Sequence, residues 1–143
     1  MFKKIFKKEK KNDLDNANIL IFALLIHAAK IDENYTDKER LIIKKAIMDL
    51  TQIGMEESEK LLILAEKKEE ESNQIVEFTK EIKKHPIQLR LKIIEIIWKI
   101  VYSDGTSDNY ESNLIRRICG LLYVSDKDNG IIKIKVRDSL KKK

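Results

Sequence analysis

Two short acidic stretches hold the side chains best suited to chemistry in this chain. The first reads Ile31-Asp32-Glu33-Asn34-Tyr35-Thr36-Asp37-Lys38-Glu39, the second Ser103-Asp104-Gly105-Thr106-Ser107-Asp108-Asn109-Tyr110-Glu111. Hard cations such as Ca²⁺ or Mg²⁺ require several oxygen ligands. Alternate positions offer them: Asp32, Asn34, Thr36 and Glu39 in one stretch, Asp104, Thr106, Asp108 and Glu111 in the other. We take Asp32, Glu39, Asp104, Asp108 and Glu111 as the candidate ligands of a divalent cation. The spacing begins like an EF-hand, but Asp37 and Asn109 stand where that loop needs Gly, and Ile43 and Ile115 where it needs Glu, so neither stretch is one.

The same residues have a structural use. Thr36-x-x-Glu39 is a capping box and Asp108-x-x-Glu111 its Asp variant. In each, the first residue accepts from a backbone N–H of the following helix and the Glu reaches back to the cap's own N–H. Asp32 and Asp104 fit this reading less well. Each follows an apolar helix at its C-terminal end, where the helix dipole disfavours negative charge. An Asx-turn at Asp104-Gly105 or a bound cation would account for them.

A repeat positions these stretches. Shifting residues 19–45 onto 91–117 places Ile21 on Ile93, Leu25 on Ile97, Ile26 on Trp98 and Ala29 on Val101. Polar residues then match as well: Asp32 on Asp104, Thr36 on Asp108, Glu39 on Glu111, and Lys44-Lys45 on Arg116-Arg117. Each copy is read as helix, short loop, helix. The first helix of each is apolar almost throughout and so is expected to be buried on most faces. The second helices present Leu41, Ile42, Ala46 and Leu50, or Leu114, Ile115, Ile118 and Leu122, as an inward stripe. Between the copies, residues 55–84 predict two more helices, the first opening near Ser58 and the pair broken at Ser72-Asn73, with Pro86 in the first turn of the helix that follows. Residues 125–140 are ambiguous, because Gly130 and the alternation Ile132, Ile134, Val136 weaken a helical pattern.

Composition supports an all-α fold. Four Gly and one Pro in 143 residues are too few for the turns of a sandwich or barrel. Apolar residues at 43% suffice for a core, and 37% charged residues suit helices with one wet face. One cysteine excludes a disulfide framework. The expected organisation is a basic tail over residues 1–16 and one compact domain of six to seven helices over 17–140.

The net charge of +5 resides in the termini: residues 1–11 hold six Lys and one Glu and residues 141–143 are Lys, leaving the rest at −3. A nucleic-acid-binding domain carries its basic stripe on the fold, with aromatics to stack on bases, so no nucleic-acid partner is expected. In the tail, Phe2, Ile5 and Phe6 lie at helical spacing among lysines. This pattern reads equally as a contact with an anionic membrane or as a solvated arm. Residues 19–29 follow a basic region but are too short to span a bilayer, and Asp13 and Asp15 interrupt a signal-peptide pattern. No phosphate loop or Ser-His-Asp order is present, His27 is read as a core histidine, and Cys119 is read as inert packing, so no enzyme is expected.

An apolar helix ending in Asp, a six-residue gap and a Glu opening the next helix, all given twice, resembles the TerB-like tellurite-resistance family. The N-terminal domain of DjlA co-chaperones shares that fold family. The likeness covers about residues 17–138, including Ile75-Val76-Glu77-Phe78-Thr79 and Leu121-Leu122-Tyr123-Val124-Ser125. It implies an all-helical fold with pseudo-two-fold halves, a divalent-cation site at the acidic loops, and protein partners in stress or metal resistance at the cytoplasmic face of a bacterial membrane. The co-chaperone role itself is not implied, since the only His-Pro is followed by Ile87 rather than Asp.

Overall fold

The computed structural model describes residues 17–30, 35–72, 75–104 and 109–141, so the basic tail lies outside the described residues. These residues form an all-α fold of seven α-helices: α1 (17–29), α2 (Asp37–Thr51), α3 (Met55–Glu71), α4 (Val76–Ile82), α5 (Ile87–Val101), α6 (Asn109–Leu121) and α7 (Asp126–Lys141). A 3-10 turn, Tyr102–Asp104, extends α5. No described helix is long and apolar enough to cross a membrane.

The two apolar helices are the centre. In α1, Ile21 through Ile26 are sealed from solvent, and in α5 so are Ile93, Ile94, Ile96, Ile97, Trp98 and Ile100. Both belong to one core cluster that also takes in Phe78 of α4 and Ile115 and Ile118 of α6. Around α5 pack α2, α6 and α7, while α3 packs on α2 and α4 on α6.

Helix boundaries follow local chemistry. Helix α2 stops where Gln52 turns left-handed (φ 58°), its N–H donating to the Met48 carbonyl at 2.9 Å. The turn after α6 also uses a non-glycine left-handed residue, Tyr123 (φ 56°), and the Val124 N–H donates back to the Cys119 carbonyl at 2.8 Å, a Schellman-type closure. Arg90 donates to the Leu122 carbonyl (2.8 Å) and to the His85 carbonyl (3.0 Å), tying the start of α5 to the end of α6.

Three expectations need correction. Helix α3 opens at Met55 after Gly54, so Ser58 is not its cap; it is buried and its hydroxyl donates to the Met55 carbonyl. Pro86 is the residue before α5 rather than inside its first turn. Leu41 points outward, 49% exposed, and the inner stripe of α2 is instead Ile43, Ala46 and Ile47, with Ile42 and Leu50 half-buried. The ambiguous end resolves as a helix. Ile132 and Val136, four residues apart, turn inward while Ile131 and Ile134 stay exposed, and Ser125 Oγ accepts from the Asp128 N–H at the start (3.1 Å).

The packing sets a clear contrast. Ile97→Ala should lower the unfolding free energy by about 2–5 kcal/mol through the cavity it leaves, whereas Leu41→Ala should change it by less than about 0.5 kcal/mol; urea denaturation of both variants measures the difference.

Candidate functional site

The start of α2 forms the expected capping box. The Glu39 N–H donates to Thr36 Oγ1 (3.1 Å), and both the N–H and the hydroxyl of Thr36 donate to Glu39 Oε1 (3.0 Å each). Glu39 is only 7% exposed, so its carboxylate is taken out of water and held in one orientation. Among the candidate ligands, Glu39 alone has a described side chain. Asp32 and Asp108 lie outside the described residues, as does the cap expected at Asp108. Asp104 and Glu111 are placed by backbone alone, at the end of the 3-10 turn and as the third residue of α6. Among the described residues, no group of three or more His, Cys, Asp or Glu side chains is gathered for a metal ion.

The backbone nevertheless brings the two stretches together. Lys38, in the first turn of α2, donates from Nζ to the Ser103 carbonyl at 2.5 Å. Ser103 immediately precedes Asp104, and its own hydroxyl donates to the Ile100 carbonyl at 2.6 Å. The beginning of α2 thus lies against the C-terminal end of α5. An ammonium there satisfies a carbonyl that the helix leaves without an intrahelical donor and offsets the negative end of the dipole.

A second group of charges flanks the first stretch and was not anticipated from the sequence. Arg40 pairs with Glu59 (2.7 Å) and Glu66 (3.1 Å), and Lys44 pairs with Glu59 (2.9 Å). The Tyr35 hydroxyl donates to Glu66 at 3.0 Å. Burial, then the neighbouring Glu66, pushes that phenol well above its ordinary value. The hydrogen bond from Arg40, followed by that from Lys44, holds the Glu59 carboxyl down at about 2. Further along α3, Glu69 receives Lys30 (2.8 Å) and faces His27 Nδ1 (3.5 Å). His27 is therefore an edge residue rather than a core one, its side chain 34% exposed. Glu59 and Glu66, seven residues apart, lie two turns along one ridge of α3, and Arg40 and Lys44, four apart, line the facing ridge of α2. That spacing was the available signal. The arrangement clamps α2 to α3 beside the acidic stretch.

Cys119 is buried as expected; burial, and secondarily Asp126, pushes its thiol up to about 12, so it is no nucleophile at neutral pH.

Residues 18–134 match the family model described as "Tellurite resistance protein TerB". No match is found among curated proteins or among solved structures.

The clamp makes a pH-dependent prediction. Because the folded-state pKa of Glu59 lies below its ordinary 4.5, its contribution is present above that value and is lost as pH falls through about 2. An Arg40→Ala/Lys44→Ala variant should melt below wild type at neutral pH, and the gap should narrow steadily between pH 4.5 and 2; melting curves across that range, with the Glu59 carboxyl followed by NMR, test it.

Proposed function

Given that this chain belongs to the TerB family, we propose that it is a non-enzymatic, cation-responsive interaction module working in a tellurite- or stress-resistance setting. A divalent cation, Ca²⁺ or Mg²⁺, is held between the two acidic stretches by carboxylates drawn from Asp32, Glu39, Asp104, Asp108 and Glu111. The bound ion stiffens the surface these stretches share, and a protein partner reads that surface. The observation that carries this reading is the Lys38–Ser103 hydrogen bond, which puts the start of α2 beside the end of α5. Carboxylates from two stretches can meet one ion only when their anchoring backbones are neighbours. The burial of Glu39 adds to it, because an oriented carboxylate loses little freedom on ligation.

The capping box supports a second reading, a purely structural adaptor whose acidic residues serve only as helix caps. In either reading the module acts in the cytoplasm, and residues 1–11 give it peripheral contact with anionic lipid.

Saturating Ca²⁺ or Mg²⁺ should raise the melting temperature relative to protein in chelator, and Asp32→Ala/Asp104→Ala should abolish the rise. Glu39→Gln discriminates between the readings, because Gln preserves the capping box while removing a charged ligand. It should leave the chelated protein's melting temperature nearly unchanged and reduce the response to the ion. Identical melting with and without ion in the wild type would leave the adaptor reading. Sedimentation with anionic vesicles should show binding at low salt that is lost at high salt and on deletion of residues 1–11.

A further inference from the structure

Between α5, α6 and α7 a cleft of about 610 Å³ opens over Trp98. Its lining is rich in donors. Arg116 of α6 and Lys133 of α7 contribute two cations, and Lys133 Nζ stands 5.2 Å from the centre of the Trp98 ring. Neither makes an ion pair within 4 Å among the described residues, although ten such pairs occur elsewhere in the fold. The indole N–H of Trp98 donates to Asn129 Oδ1 at 2.9 Å, which commits that oxygen and turns the amide's two N–H donors away from the indole. Among the described residues of the lining Asp126 is the one carboxylate, so these carry a net positive charge.

Gly130 is the independent clue. It lies in the interior of α7, where glycine is the poorest helix former after proline. No packing contact requires it, because a Cβ there would meet no atom within 4 Å. It does, however, line the cleft, where a missing side chain lets a ligand approach the helix backbone.

We propose that this cleft binds a phosphate-type oxyanion, free or as the anionic group of a small metabolite, between Arg116 and Lys133, with the Asn129 amide as a further donor. Two charge-assisted donors converging on one anion match the way proteins hold phosphate and carboxylate groups. The site uses none of the candidate cation ligands.

Trp98 is the only tryptophan of the chain and its ring lines this cleft, so a change there is read in its fluorescence. Chelator-treated full-length protein is titrated with inorganic phosphate, with ribose 5-phosphate, and with chloride at matched ionic strength. A saturable change with the phosphates and none with chloride is expected. Tighter binding of the sugar phosphate would assign the anion to a metabolite, and equal binding to the free ion. Arg116→Ala/Lys133→Ala should weaken binding about tenfold or more, as expected for loss of charged hydrogen bonds. Gly130→Ala guards against misfolding of that variant: it should raise the melting temperature while weakening binding, since the methyl group occupies the approach. A response to phosphate no different from that to chloride, or undiminished affinity in Gly130→Ala, overturns the proposal.

Discussion

Burial of two predominantly apolar helices is the constraint from which the rest of this structure follows. Helix α1 is buried or half-buried throughout and α5 keeps only a stripe through Gln88, Lys92 and Lys99 in water, so the greater part of both must be enclosed. In a chain of this length only the remaining helices can enclose them, and each of these offers one apolar stripe. Sealing six consecutive residues of α1, Ile21 to Ile26, removes apolar surface worth roughly 1.5–3 kcal/mol for each large side chain. No surface ion pair approaches that, which is why the charged helices arrange themselves around the apolar pair.

Enclosure has a cost at the helix ends. A buried helix must release its last carbonyls where water or a donor can reach them. The acidic stretches occur at these points, immediately after the apolar runs. For α5 the solution is visible: Ser103 closes one carbonyl with its hydroxyl and presents its own carbonyl to Lys38. The clamp of Arg40 and Lys44 on Glu59 and Glu66 then fixes α2 against α3, so that the first turn of α2 meets the end of α5 from a supported position.

Much of this was legible in the residue pattern, for physical reasons. Continuous apolar runs have only one interpretation in a charged chain, and the polar matches between the copies fixed where the loops fall. The Thr36/Glu39 capping box was readable because its geometry is local. Long-range pairing was not. That Leu41 would turn out and Ile43 in depends on how α2 rotates against α5 and α3, a rotation that seats Ile43, Ala46 and Ile47 in the shared core and is not readable from α2 alone. Helix α7 was ambiguous because Ile132, Ile134 and Val136 satisfy period two, while its helical pair Ile132/Val136 gains meaning only against α5. His27 follows the same logic: an apolar run says nothing of Glu69, 42 residues on in α3, which draws the imidazole to the edge of the core.

The Lys38 ammonium sets the terms on which an ion could act between the two halves. It already occupies the position that the negative end of α5 favours for a cation. A divalent ion a few ångströms from it would meet a repulsion of several kcal/mol at the effective dielectric of a protein surface. Carboxylates drawn from both stretches outweigh that repulsion more readily if Lys38 swings aside into solvent, which its exposed side chain permits. Binding would then exchange one tie between the halves for another: a single hydrogen bond to a carbonyl gives way to an ion shared by carboxylates. The contact between α2 and α5 would be remade rather than merely reinforced, and a partner resting on this surface could distinguish the two states.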